Sequence, residues 1–246
     1  MYNTTDKYNI ETIYNKLIET KTNNINAETY KTIDKYFQKG SNEQQILLNL
    51  IINRLIIKQE KPLSIDGLIF DYLKQSNLNN ITNQLNESFP KGIIKLTNSL
   101  KIDYNPLQTL LMNKQFKEAD TITQKYLCQL AGLNQLNKRN WLYFTDISCI
   151  PSEDLFTIDL LWQIYSHGKF GFSIQRKIWI FNNNNWNKLW QQIGWINKGI
   201  MRRYPEEFIW NINAPIGHLP LFNQLRGNQV LLSLFEHPVW EKNFKF

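Results

Sequence analysis

The chain has few side chains suited to bond-making chemistry. Its three histidines are His167, His218 and His237, and its two cysteines are Cys128 and Cys149. No histidine has a second His or a Cys at metal-ligand spacing, so a metal site has weak support. His218, between Gly217 and Leu219, fits either a ligand at a cavity mouth or a hydrogen bond that ties its own turn, and the second role is favoured. No Ser occupies a nucleophile elbow, and neither a phosphate-cradling glycine loop nor a dinucleotide fingerprint is present. Asp154 and Asp159 stand five apart on one expected helix, so they point away from each other and form no acid/base pair. What remains is a binding constellation. Phe170, Phe172, Met201, Tyr204 and Phe208 are interleaved with Arg176, Lys177, Arg202, Arg203 and Arg226. Two ligand classes need that mixture. One is single-stranded nucleic acid, whose bases stack on rings while phosphates meet Arg or Lys. The other is a large flat apolar molecule with carboxylate arms, which an Arg grips through two hydrogen bonds.

Composition sets the frame. At 246 residues the chain has room for one large domain or two smaller ones. No apolar run reaches the roughly 20 residues that a membrane-spanning helix needs. The first residues, MYNTTDKYNIETIYNKL, carry Asp6 and Glu11 and read as neither a transit nor a secretory peptide. Two cysteines are too few for a disulfide framework and fit a reducing compartment. The net charge of +7 points to an anionic partner, against the bland alternative of a basic solvated surface. Asn, Ile and Lys are used heavily. Their codons are A/T-rich, which fits a compact organelle genome and an absent transit peptide.

The elements that must hold the constellation read as helices. Apolar stripes recur at helical spacing in the first part of the chain: Ile10, Ile13, Leu17 and Ile18; Tyr30, Ile33 and Phe37, closed by Gly40; Leu47, Leu50, Ile51 and Leu55; Leu68, Ile69, Tyr72 and Leu73; Ile81, Leu85 and Phe89. Short gaps between them predict an antiparallel helical bundle over residues 1–89. Pro90 and Gly92 open a linker over 90–102, and a second domain occupies 103–246. There, Pro106 fits the first turn of a helix. Phe116 to Leu130 forms a longer one with Ala119, Ile122, Tyr126 and Leu130 on one side, and Cys128 is a small buried residue within it. The stretch from Pro151 opens with Ser152 as a cap, carries Glu153 and Asp154 in its first turn, and ends at Gly168. Its apolar stripe of Leu155, Ile158, Leu161, Trp162, Ile164 and Tyr165 is broad enough to be buried on more than one side. Phe170 and Phe172 follow on a Gly171 hinge and fit either core packing or the wall of an apolar cavity. A helix begins near Ser173, and a short one from Trp186 ends at Gly194. From Trp195 periodicity fails through Gly199, Pro205, Pro215, Gly217 and Pro220, although Trp195, Met201, Tyr204, Phe208 and Trp210 lie there. Loops so loaded with rings either pin themselves to the helices or face a ligand. A last helix spans Val230 to Phe235.

Four pieces then occur in order: EAD (Glu118 to Asp120), DL..ID.LW..YS.G.FGFS.Q (Asp154 to Gln175), GW (Gly194, Trp195) and AP.GHLP (Ala214 to Pro220). FNQLRG (Phe222 to Gly227) and HPVW (His237 to Trp240) follow them. Together they resemble the genomes-uncoupled-four family of tetrapyrrole-binding regulators, over roughly Ile102 to the C-terminus. The resemblance implies an all-α protein whose core forms a loop-walled concave cup. It implies a protoporphyrin IX or Mg-protoporphyrin IX ligand, no required cofactor and no catalysis. It implies stimulation of magnesium chelatase through that enzyme's large, porphyrin-binding subunit, and peripheral association with a membrane; nucleic acid is left out of the partners. Arg226 matches the family arginine implicated in porphyrin binding. Met201 and Tyr204 fall where cyanobacterial relatives carry tryptophans on a mobile loop, so apolar bulk is kept and the indole is lost. The expected porphyrin set is Phe144, Phe170, Phe172, Met201, Arg202, Tyr204, Phe208, Leu221, Leu225 and Arg226. A helical extension ahead of such a core is the cyanobacterial and algal-plastid layout, which implies a plastid, or otherwise a cyanobacterial cytoplasm. The rival readings are a basic-aromatic module for single-stranded RNA, a helical interaction scaffold without ligand, and an enzyme of tetrapyrrole metabolism.

Overall fold

The computed structural model describes residues 12, 25–133, 139–221 and 228–241. Among these, helices dominate and one two-stranded hairpin is present. The chain falls into two compact units, one running to Lys95 and one starting at Leu96.

The first unit contains α1 (Ala27–Gln38), α2 (Ser41–Ile52), α3 (Ser64–Lys74) and α4 (Asn79–Ser88). The stripe at Ile10 to Ile18 lies outside the described residues. Asn26 starts α1 by accepting the Thr29 N–H at 2.8 Å. Helix α2 packs on α1, α3 and α4, and Ile33, Leu47, Leu48, Ile51, Ile69, Leu73 and Ile81 meet in the core. Past Ile52 the helix widens into one π-turn, Asn53–Ile57, with the Lys58 N–H reaching back to the Asn53 carbonyl. That extra residue rotates the buried face. Arg54 is therefore buried while Leu55 is only half-buried. The guanidinium meets Asp66 Oδ1 at 3.3 Å and the Glu60 carboxylate. Asp66 also accepts the Leu63 N–H at 2.7 Å, which starts α3.

The second unit contains α5 (Asn105–Met112), α6 (Phe116–Leu130), α7 (Ser152–Tyr165), α8 (Phe172–Phe181), α9 (Trp186–Gln192) and α10 (Gln229–Phe235). Short 3-10 turns lie at Phe144–Cys149 and Pro238–Glu241. Helix α7 is the axis, buried from Asp154 to Tyr165 apart from a half-buried Phe156. It is apolar nearly all round because α5, α6 and the 238–241 turn pack against it. Its polar tips are each met: Trp162 Nε1–H donates to Thr123 Oγ1 at 3.0 Å, and the Tyr165 hydroxyl to Gln108 Oε1 at 2.9 Å. Ser152 does not cap the helix. Pro151 is the extended residue before the first turn, so Ser152 sits one position too far in. At the other end His167 (φ +57) and Gly168 (φ +80) turn left-handed, and the Gly168 N–H closes on the Gln163 carbonyl at 2.7 Å. Lys114 Nζ donates to the Tyr165 carbonyl at 2.6 Å, placing a cation at the negative end of α7.

The buried face of α6 is set by α7. It runs through Phe116, Ala119, Asp120, Thr123 and Leu127, whereas Ile122 and Leu130 are only half-buried. Thr123 is buried because its oxygen accepts from Trp162 while its hydroxyl donates to the Ala119 carbonyl at 2.7 Å.

The ion cluster gives a test of the first unit. Arg54→Ala leaves the buried Asp66 carboxylate without its cation and should lower stability by about 3 kcal/mol, read by urea denaturation. Thr32→Ala, on an exposed turn of α1, should change it by less than about 0.5 kcal/mol.

Candidate ligand-binding surface

The Phe170–Gly171–Phe172 turn joins α7 to α8. Phe170 is wholly buried, edge-on to Phe116 at 5.4 Å and near Trp162 at 6.4 Å. The Ser166 hydroxyl accepts its N–H at 2.8 Å. Gly171 holds φ +137, and a Cβ there would stand 2.7 Å from Asp159 Oδ1. Only glycine lets that carboxylate approach. Having no side chain, Gly171 cannot cap α8. Asp159 caps it from α7, accepting the Ser173 N–H at 2.9 Å, while Gln163 Nε2–H donates to its other oxygen at 2.6 Å. Burial pushes the Asp159 carboxyl above the ordinary range, and the bonds to Ser173 and Gln163 pull it back. Phe172 begins α8, fully buried.

The irregular segment leaves α9 at Gly194 and makes a small hairpin, β1 (Ile196–Asn197) with β2 (Ile200–Met201). Lys198 (φ +48) and Gly199 (φ +82) form its two-residue turn. Both central residues are left-handed, the type I′ geometry that matches strand twist. Arg202 fastens the hairpin base, donating from Nε to the Gly194 carbonyl at 2.8 Å and from Nη1 to the Glu207 carbonyl at 2.6 Å. The rings divide into two sets. Trp195 (0% exposed) and Phe208 (5% exposed) are pins: Trp195 stacks on Trp190 at 5.1 Å, and Phe208 lies 6.4 Å from Trp195 and 5.5 Å from the His218 ring. Tyr204 (51% exposed) and Met201 (37% exposed) face outward with Ile200 and Ile216. Tyr204 stands edge-on to Trp210 at 5.9 Å, whose Nε1–H donates to the Pro205 carbonyl at 2.9 Å. Exposed Lys198 and Arg203 border this apolar surface.

Gly217 to Leu221 forms a strap across the unit with no regular ladder. Each of its five carbonyls accepts a hydrogen bond from a donor elsewhere. Gln175 Nε2 of α8 serves Gly217 at 3.0 Å and Pro220 at 2.8 Å. Trp195 Nε1–H serves His218 at 2.8 Å, and the Gly171 N–H serves Leu219 at 3.0 Å. Gln124 Nε2 of α6 serves Leu221. One turn earlier on α6, Asp120 Oδ1 accepts the Leu221 N–H at 2.7 Å. Burial raises the Asp120 carboxyl to about 8, with the Leu221 N–H acting in the opposite direction. His218 ties two loops: it accepts the Ile209 N–H on Nε2 at 3.1 Å, and its Nδ1 lies 2.6 Å from the Ile193 carbonyl. That pairing fixes the Nδ1–H tautomer, and burial holds the ring's pKa below the ordinary value. His218 is thus a structural tie. Among the described residues no cluster of three His, Cys, Asp or Glu side chains could hold a metal ion.

Of the expected porphyrin residues, the fold brings together the 170–172 turn, the 201–208 loop and Leu221 through the strap they share. Phe170, Phe172, Phe208 and Leu221 are buried in its framework, and Met201 and Tyr204 are presented outward. Arg202 is half-buried, with two of its donors engaged on backbone. Phe144, 50% exposed, lies on the separate 144–149 turn, which packs on α10. Leu225 and Arg226 lie outside the described residues. Asp120 closes the EAD piece and Gln175 the Asp154–Gln175 piece, but their roles and that of Gln124 depend on contacts that the motifs do not encode.

The GUN4-like family model matches residues 97–238. A ycf53 protein of Pyropia yezoensis is 45% identical over 90% of this chain and 93% of its own length. A tetrapyrrole-binding protein, chloroplastic, of Arabidopsis thaliana is 36% identical over 56% of this chain and 55% of its own. The solved structure of GUN4 from Chlamydomonas reinhardtii superposes with a TM-score of 0.55 at 42% identity, covering 61% of this chain and 95% of that one.

Asp120 gives a pH test. Its folded pKa of about 8 stands above the unfolded value of 3.8. Between those two the unfolded chain has lost a proton that the folded one keeps, so rising pH favours unfolding. The stability advantage of Asp120→Asn over wild type should therefore grow from pH 4 to pH 8, by at most roughly 1.4 kcal/mol per pH unit, and then level off. Urea denaturation at a series of pH values measures the difference.

Proposed function

The chain belongs to the GUN4-like family, and on that premise we propose that it binds a tetrapyrrole, protoporphyrin IX or its magnesium complex, and stimulates magnesium chelatase through that enzyme's large subunit. It works as a regulator, not a catalyst, in a plastid or a cyanobacterial cytoplasm. The single observation that carries the reading is the division of rings on the 195–221 segment. Trp195 and Phe208 are spent on packing, while Met201, Tyr204, Ile200 and Ile216 stand exposed on a backbone that is firmly held. Exposed apolar side chains on a rigid mount suit a flat, apolar ligand that arrives with its own buried area, at about 25 cal/mol per Å2. The basic border and Arg226 suit its carboxylate arms. The Arabidopsis relative's tetrapyrrole-binding name supports the ligand class. In this reading the functional division of the chain is a helical extension over 1–89, a linker over 90–102 and a binding core over 103–246, with Phe170, Phe172 and Leu221 backing the surface. Phe144 and Leu225 complete the set, and peripheral contact with a membrane accompanies the chelatase.

Titration with deuteroporphyrin, followed by quenching of tryptophan fluorescence, tests the reading. Tyr204→Ala should weaken binding about tenfold, the loss of one ring's stacking, and Arg226→Ala should also weaken it, both with an unchanged melting temperature. Binding should survive added salt, whereas a nucleic-acid site would lose affinity steeply. Wild-type affinity in both variants, or no binding by the wild type, refutes the assignment.

A further inference from the structure

Leu221 is gripped from behind by two side chains of one helix. Asp120 and Gln124 stand one turn apart on α6, about a hundred residues away in sequence, and between them take both polar groups of the Leu221 backbone. The pair acts as a strand would, offering an acceptor to the N–H and a donor to the carbonyl. Gln175 holds the preceding residues from the opposite helix, so the strap is fixed from both α6 and α8. Helix packing does not require this arrangement. The Asp120 site is fully buried; burial raises its carboxyl and the Leu221 N–H lowers it. An apolar residue there would serve α6 better. A polar group held at such a cost and bonded to a loop is the pattern expected where position matters more than stability.

We propose that Asp120 and Gln124 are positioning residues of the ligand surface: they set the height of Leu221 and so fix how the strap meets the bound molecule, without touching that molecule themselves. This rests on the tetrapyrrole reading above, and it adds to the EAD stretch a task that its helical setting alone does not suggest. Asn at position 120 still offers an oxygen to the Leu221 N–H. Leu at 120 fills the same volume and offers none.

The test compares Asp120→Asn, Asp120→Leu and Gln124→Met in the full chain at pH 7. Two readouts are used: deuteroporphyrin affinity, and hydrogen exchange of the Leu221 amide in the free protein, each alongside the melting temperature. Asp120→Leu should bind at least about tenfold more weakly and lose protection at Leu221, and Asp120→Asn should stay within about twofold of wild type on both. If Asp120→Leu fails to fold, Gln124→Met, whose side chain is only half-buried, carries the comparison, with an expected loss of about threefold. Unchanged exchange at Leu221 in the folded variants overturns the grip itself. Loosened exchange with wild-type affinity overturns the positioning role while leaving the tetrapyrrole reading intact. A wild type that binds no porphyrin, with normal exchange, overturns the tetrapyrrole reading and this role together.

Discussion

A backbone segment that belongs to no helix or sheet can enter a protein interior only if its carbonyls find donors there. Gly217 to Leu221 meets this condition five times over, through Gln175 twice, Trp195, Gly171 and Gln124. The rest of the second unit is arranged to supply those donors. Gln175 is in place because α8 starts at Phe172, and α8 starts there because Asp159 reaches across from α7 to its first turn. The Trp195 indole is in place because it stacks on Trp190. The exposed surface at Met201 and Tyr204 is held by this network, since Phe208 of the same loop rests on His218 in the strap.

Buried carboxyl groups recur through this scheme, and in each case the partner is a backbone N–H. Asp154 takes Lys101, Asp159 takes Ser173, Asp120 takes Leu221, and in the first unit Asp66 takes Leu63. Acidic residues whose type suggests acid–base chemistry thus act as staples between segments. Their spacing reflects this. Asp154 and Asp159 point to opposite neighbours, one to the chain that enters the unit and one to the turn that leaves α7. Asp66 also has a buried cation, Arg54, which the π-turn swings inward.

Much of this was legible in the chain. Helix limits at Gly40, Gly168 and Gly194 fall where a residue of positive φ is found, and the failure of periodicity after Trp195 marked the irregular segment. The likeness to the tetrapyrrole-binding family was carried by short motifs and is matched by the family model over 97–238. Other features depend on contacts that no local pattern encodes. Which rings on the segment are pins and which are exposed is set by how Trp190 and His218 are seated in the fold. The inward face of α6 was displaced from Ile122 to Thr123 because the Trp162 indole needed an acceptor. The buried arginine followed from a single widened turn that helical spacing does not announce.

The tryptophan stack has an optical consequence. Trp186, Trp190 and Trp195 form a ladder with centroids 5.3 and 5.1 Å apart, and the last two rings are only 6° from parallel. Indoles this close share their excitation, which perturbs the indole bands in near-ultraviolet absorption and circular dichroism. Because Trp195 belongs to the irregular segment and Trp190 to a helix, the share of that coupling due to this pair lasts only while the one is seated on the other. The molecule therefore carries an intrinsic gauge of its irregular segment, readable in solution without a label.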